Sequence, residues 1–242
     1  FANDSRLIVV RNCKNLGFAA ACNIGSGATS GDCLLYLNPD CLLQENTVAK
    51  LVLGLELESN VGMTGGLLIN PDGTEQGGGR RAVPTPWRSF VRLFGLSCLA
   101  DRWPNVFSDF HLHKQPLPDA PLKVEAISGA CMMIKREAME AVGYWDEGYF
   151  LHCEDLDLCM RFRQKGWEIF FIPDAPIIHY LGVSSRPQPL TVAWHKHKGM
   201  MRFYRKFFRH QYPGILMWLV TLGVWLRFTV VALFYITRRM VR

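Results

Sequence analysis

The sequence contains no C-x-x-C pair, and its eight cysteines in 242 residues fall far below the density of a disulfide-stapled secreted module. Zinc-ribbon and thioredoxin-like readings are thereby excluded, and the cysteines are expected to be reduced thiols of a cytosolic environment. The phosphate loops G-x-x-x-x-G-K-[ST] and G-x-G-x-x-G are missing as well. Phe1 is followed by polar Asn3, Asp4, Ser5 and Arg6, with no initiator Met, signal peptide or transit segment, so a fragment of a longer protein is expected. Acidic residues are absent from 186–242, which holds 11 Lys and Arg; residues 1–185 carry 16 Lys and Arg against 21 Asp and Glu. A body of net −5 therefore adjoins a tail of net +11. An even basic coat would point to nucleic acid. This division points instead to an enzyme on an anionic membrane surface, with no nucleic-acid partner.

With 49% hydrophobic and 20% charged residues, the chain buries one full core. Strand-like and helix-like runs alternate as in α/β units. Leu7–Val10 reads as a short buried strand, about 17–29 as a small-residue helix, and Cys33–Leu37 as a strand buried on both faces. A helix near Thr47–Glu58 places Val48, Leu51, Val52 and Leu55 on one face, and Val61–Ile69 is a further strand. Residues 70–121 hold 7 of the 13 prolines and show no helical or alternating period, so a loop-rich insertion is expected. Patterning resumes with strands at Val124–Ile127 and Ala130–Ile134, helices at Arg136–Val142 and Glu154–Gln164, and a strand at Glu168–Ile172.

In open α/β sheets ligands collect beyond the carboxyl ends of strands, which singles out Asn38-Pro39-Asp40 after Leu37. An amide oxygen from Asn38 and a carboxylate from Asp40 would suit a hard cation, although the tripeptide is also common turn chemistry. In Glu154-Asp155-Leu156-Asp157, carboxylates in a first helical turn are ordinary dipole chemistry, and Asp157 with Arg161 is an ordinary i,i+4 pair. Glu154 and Asp155 point in different directions on a helix, so one can face a cleft while the other tethers the backbone. His179 is either a ligand or a satisfied core residue. Gly77-Gly78-Gly79 with Arg80-Arg81 reads as a flexible loop with an arginine available to phosphate.

Taken in order, Asn15-Leu16-Gly17-Phe18, Asn23-Ile24-Gly25, Gly31-Asp32, Leu37-Asn38-Pro39-Asp40, Asp72-Gly73-Thr74, Gly78-Gly79-Arg80-Arg81, Ser128-Gly129-Ala130, Trp145-Asp146-Glu147, Glu154-Asp155-x-Asp157-Leu158-x-x-Arg161, Gly166-Trp167, Pro173 and His179 resemble glycosyltransferase family 2, in its rhamnosyltransferase branch. The resemblance implies a GT-A-like α/β fold: a mixed sheet flanked by helices, here without its first strand-helix unit. It implies a nucleotide-diphosphate-sugar donor such as dTDP-rhamnose, a divalent Mg2+ or Mn2+, and inverting transfer to a lipid-linked or polysaccharide acceptor. By position it makes Asp40 and His179 metal ligands, with Asn15, Gly17, Asn23, Asn38 and Asp40 on the donor side. Asp155 becomes the base, Glu154 its acidic neighbour, and Trp145 and Asp146 the acceptor pocket. Cys22 departs from the Asn that commonly precedes Asn23. Without its opening strand the fragment alone is expected to be inactive. Rival functions are a GT-A-like nucleotidyltransferase and a donor-incompetent, membrane-tethered remnant.

The tail reads as two segments. Residues 186–213 form a basic, aromatic membrane-surface stretch and 214–237 a hydrophobic one. Ile215–Ile236 would extend about 33 Å as a helix, enough for a hydrocarbon core of about 30 Å. Its 13 Leu, Ile, Val and Phe residues outweigh Arg227. Residues 190–242 are therefore expected to leave the body as a membrane-bound tail at the cytoplasmic face of the cell membrane.

Overall fold

The longest apolar strands lie side by side at the centre of the sheet, and everything that positions the site is hung on them. The computed structural model describes residues 4–93, 95–100, 102–107, 110–180 and 188–240. In chain order the elements are α1 (Phe18–Gly27), β1 (Cys33–Leu37), β2 (Cys41–Leu43), α2 (Thr47–Gly54), β3 (Val61–Ile69), β4 (Arg80–Arg81), α3 (Pro86–Leu93), α4 (Pro104–Phe107), β5 (Leu122–Lys123), β6 (Ala126–Ile127), β7 (Cys131–Lys135), α5 (Arg136–Val142), α6 (Glu154–Gln164), β8 (Glu168–His179), α7 (Pro189–Phe208) and α8 (Gly214–Met240). The main sheet has the order β1-β7-β3-β8-β2, with β5 also on β8. Among the described residues only β3 and β8 pair in parallel; the other strand pairs of the sheet are antiparallel. A separate ribbon joins β4 to β6.

Helices cover both faces. Leu51 and Leu55 pack on one side with Val61, Met133 and Phe170. On the other, Leu158 and Phe162 of α6 meet Met63, Ile134 and Phe171. Strand β8 runs through Pro173 and Pro176, neither of which can donate to a ladder. Its register against β3 accordingly jumps from Gly66↔Ile172 to Leu67↔Pro176, looping out a bulge. A Cβ on Gly66 would lie 2.2 Å from the Ala175 carbonyl oxygen, so the bulge requires glycine there. Past the bulge the strand continues to His179, well beyond the Ile172 at which the apolar run stops.

Four expectations are corrected. Leu7–Val10 is no strand: it pairs with no described strand, and its side chains are 49–65% exposed. An apolar run becomes a strand only beside a partner, and among the described residues β1 pairs on one edge alone. For the same reason β1 is half-buried, with Leu37 40% exposed. Residues 70–121 contain α3, α4 and β4.

The fourth concerns the tail, for α7 is no free membrane-surface segment; of the expected stretch 186–213, residues 186 and 187 lie outside the described residues. Within α7, Met201, Phe203, Tyr204, Phe207 and Phe208 are buried in the same core as β3 and β7. A buried aromatic contributes about 1.5–3 kcal/mol, whereas a bilayer surface attracts each cation by only about 1 kcal/mol, so the core wins this helix. Arg202 and Lys206 pair with Asp146 at 2.8 and 2.7 Å, and Lys206 also reaches Asp157 at 2.6 Å. The charge division thus joins tail to body. Helix α8 differs: Val224 is buried, Trp225 and Phe228 pack on Trp194 at 5.2 and 5.5 Å, and most of its apolar surface is exposed. Gly214–Arg238 is long and apolar enough to cross a membrane.

Candidate active site

Asn38-Pro39-Asp40 is a turn, closed by the Cys41 N–H donating to the Asn38 carbonyl at 3.1 Å. What the turn does is set β2 against the end of β8, where Cys41 lies opposite His179. The Tyr180 N–H donates to the Asp40 carbonyl at 2.9 Å, and His179 Nε2 stands 3.3 Å from Asp40 Oδ1. Two side chains 139 positions apart are thereby brought together by antiparallel register.

Which ring nitrogen of His179 carries a hydrogen toward the core is set by Gln76, which is buried behind the pair. Gln76 Nε2 donates to Asn70 Oδ1 at 2.9 Å and to the His179 carbonyl at 3.2 Å. Its Oε1 must then accept, and it does so from His179 Nδ1 at 2.6 Å. With the Nδ1 hydrogen held there, a neutral imidazole turns the Nε2 lone pair toward Asp40. Asp40 Oδ1 is itself buried with no hydrogen-bond donor. Two electron-rich atoms facing each other suit a cation between them, a proton or a metal ion. Adjacent ligands of an octahedral Mg2+ lie about 3 Å apart, and His179 with its second ring nitrogen hydrogen-bonded is the usual form of a metal-binding imidazole. The donor set fits a divalent ion. Cys41 lies within 4.8 Å of both ligands, but its thiol donates to the Ala130 carbonyl and burial pushes it up to about 11, so it stays protonated.

A second carboxylate centre opens α6. His152 and Cys153, just before it, both hold left-handed backbone (φ 68° and 69°), a cost tolerated at functional turns. Asp155 Oδ2 accepts from Arg81 Nη2 and from the Gly129 N–H at 3.2 Å, and Oδ1 from the Leu156 N–H at 2.8 Å. Glu154 is buried, and its charge when ionised is felt by the Cys22 thiol on α1. Burial, then the charge of Asp155, pushes its carboxyl up to about 8, so it stays protonated at neutral pH.

Adjacent residues join the two centres. Ala130 accepts the Asn38 N–H at 2.9 Å through its carbonyl, while the preceding Gly129 donates its N–H to Asp155. A Cβ on Gly129 would sit 3.3 Å from that of Asp155. The cation-seeking pair and the carboxylate therefore flank a single dipeptide beyond the carboxyl end of β1.

A glycosyl transferase family 2 model matches residues 1–143, and a glycosyl transferase family group 2 model matches residues 77–241. The chain belongs to glycosyltransferase family 2. The N-acetylglucosaminyl-diphospho-decaprenol L-rhamnosyltransferase of Mycobacterium tuberculosis is 26% identical over 200 residues, 78% of this chain and 64% of that protein. Rhamnosyltransferase WbbL of Escherichia coli is 24% identical over 62% of this chain and 52% of its own length. The chain thus spans roughly half to two thirds of these relatives. Among solved structures, the mannosyltransferase PcManGT from Pyrobaculum calidifontis, in complex with GDP-Man and Mn2+, aligns with TM-score 0.50 at 16% identity, over 83% of this chain and 46% of its own. The fold is GT-A-like.

Within this family 2 chain, several residues that the resemblance assigns to ligands are occupied by the fold. Asn15 Oδ1 accepts the Gly17 N–H at 3.0 Å, and a Cβ on Gly17 would meet the Phe150 carbonyl oxygen at 2.6 Å. Asn23 donates to the Trp145 carbonyl and to Glu147, and accepts the Trp145 N–H. Trp145 is buried edge-on against Phe18 and Tyr36. Asp146 clamps α7; despite partial burial, Lys206 and Arg202 hold its carboxyl down to about 2. Of the two arginines in the glycine-rich loop, Arg80 is buried between Glu75, the Gln115 carbonyl and the Phe171 ring. Two residues of the site were missed. Gln76 belongs to no motif. Arg81 was seen only as a member of a glycine-rich loop, because nothing local reveals a partner 74 positions away.

Proposed function

We propose that this chain carries the catalytic centre of an inverting glycosyltransferase. It moves L-rhamnose from dTDP-rhamnose to a lipid-linked or polysaccharide acceptor at the cytoplasmic membrane face. The observation that carries the reading is the bare Asp40 oxygen facing the His179 lone pair, one dipeptide from Asp155. The names of the mycobacterial and Escherichia coli relatives support the sugar and the acceptor class. Asp40 and His179, with the Asn38 amide nearby, would hold Mg2+ or Mn2+; when bound, the ion neutralises charge on the leaving diphosphate as a Lewis acid. Gln76 keeps Nε2 free for that role. Asp155 takes the proton of the incoming hydroxyl once Arg81 has swung aside, and a single displacement inverts the centre without an enzyme nucleophile. Neutral Glu154 spares Asp155 a second neighbouring negative charge.

Product formation from dTDP-rhamnose with Mn2+, abolished in Asp155→Asn and Asp40→Ala, tests this reading. A second reading, that of a donor-incompetent relative, is favoured by the Arg81 contact that occupies Asp155. It requires that no product forms with any nucleotide sugar, in the chain or in its full-length form.

A further inference from the structure

Exposed aromatic residues gather in the segment that follows Arg81. Arg81, the partner of Asp155, is followed after four residues by α3. Trp87 and Phe90 of that helix stack face to face at 5.5 Å, and Trp87 donates its indole N–H to the Val106 carbonyl at 2.7 Å. Phe107 adds its ring at 6.3 Å from Trp87 and 6.2 Å from Trp103. These contacts join α3 to Trp103 and α4, yet Trp87, Phe90, Leu99, Trp103 and Val106 remain 37–49% exposed. Buried Val91 marks the opposite face of α3. Two exposed arginines border the platform: Arg102 lies 5.4 Å over the Trp103 ring and Arg92 5.3 Å over that of Phe110.

This segment packs on α7, which leads into α8: Ser89 shares a hydrogen bond of 2.7 Å with the Tyr204 hydroxyl. Trp87 and Val106 also line one cleft of about 530 Å³ with Phe208, Gln211 and Tyr212, and α8 begins two residues later at Gly214. Aromatic rings with polar edges, flanked by arginines and level with the start of an apolar helix, match the chemistry of the headgroup layer. We propose that 86–107 is a second membrane-contacting element, an in-plane aromatic platform seated in an anionic lipid surface beside the entry of α8. The inference rests on the reading of α8 as membrane-embedded, and extends it. Seated there, the platform would hold the Arg81–Asp155 contact close to the bilayer surface, where the hydroxyl of a lipid-linked acceptor is presented.

Cys98 is an exposed thiol within the platform, and Cys33 an exposed thiol on β1. In the full chain, an environment-sensitive fluorophore is placed on Cys98 in a Cys13→Ser/Cys33→Ser background, and on Cys33 in a Cys13→Ser/Cys98→Ser background. Both proteins are bound to vesicles of zwitterionic phospholipid with about a third anionic lipid. The proposal expects headgroup-depth spin-labelled lipid to quench the Cys98 probe several-fold more than the Cys33 probe, and iodide to quench it several-fold less than in detergent. Trp87→Ser/Trp103→Ser should restore iodide access to Cys98 while the protein still sediments with vesicles. Sedimentation with vesicles while Cys98 remains fully open to iodide overturns the platform alone. Failure to sediment overturns both the platform and the embedding of α8.

Discussion

The two carboxylate centres of the cleft are electrostatic opposites. Asp40 faces a histidine lone pair and has no donor on its buried oxygen, whereas Asp155 is saturated by a guanidinium and two backbone N–H groups. The guanidinium beside Asp155 leaves Asp40 and His179 as the pair suited to a cation. Under the proposed function, an ion held by that pair would leave Asp155 unliganded by metal.

The contrast breaks most severely at Asp155. Asp155→Asn preserves shape and removes basicity, so turnover in the full-length enzyme should fall by about 10²–10⁴-fold with donor affinity nearly unchanged. Equal losses in kcat and in donor binding would move Asp155 into the donor site.

Gln76→Leu sharpens the other side. With Nδ1 no longer held, Mn2+ affinity should weaken by about 10–100-fold, while Asp155-dependent proton transfer is untouched at saturating metal. Unaltered affinity by titration calorimetry would remove Gln76 from the account.

These two variants also mark what was legible in the sequence. Val61–Ile69, Arg136–Val142 and Glu154–Gln164 could be read because each is an apolar pattern closed by its own local stop signals. Asp40 could be named because residue type and position beyond a strand already select it, whereas the roles of Asp155 and His179 rest on the resemblance to the family. Gln76, Arg81 and the α7 clamp could not, since each acts through a partner brought near only by the sheet. The same holds for Leu7–Val10, where the apolar run was visible and the absence of a neighbouring strand was not. Helix α3 was a different omission: Pro86 at its first position and the Trp87, Phe90, Val91 spacing are helical signals, obscured by the surrounding prolines.

Smaller effects follow from the acids around these centres. Glu154 has its folded-state pKa raised to about 8 from 4.5, mainly by burial and then by Asp155, so the unfolded chain loses its proton first. Its contribution therefore destabilises progressively as pH rises from about 4.5 to about 8. Glu154→Gln should raise Tm by a few degrees at pH 8 and by little at pH 4, as followed by circular dichroism. A lower Tm at pH 8 would show that the carboxylate is ionised.

Asp146 has the opposite sign. Its pKa is depressed to about 2, with the Lys206 and Arg202 hydrogen bonds overcoming burial, so its stabilisation is full above about pH 4 and fades as pH falls toward about 2. Asp146→Asn should cost about 1–2 kcal/mol at pH 7 and loosen α7, seen as faster amide exchange in 199–208. Unchanged exchange there would mean that the buried aromatics alone hold the helix.

Direct titration of the chain with Mn2+, followed by the loss of free-ion paramagnetic resonance signal, tests the central claim without any turnover. The account predicts one saturable site that disappears in Asp40→Asn and in His179→Ala and persists in Asp155→Asn. Retention of that site in both Asp40→Asn and His179→Ala, or its loss in Asp155→Asn, would contradict the assignment of the two centres.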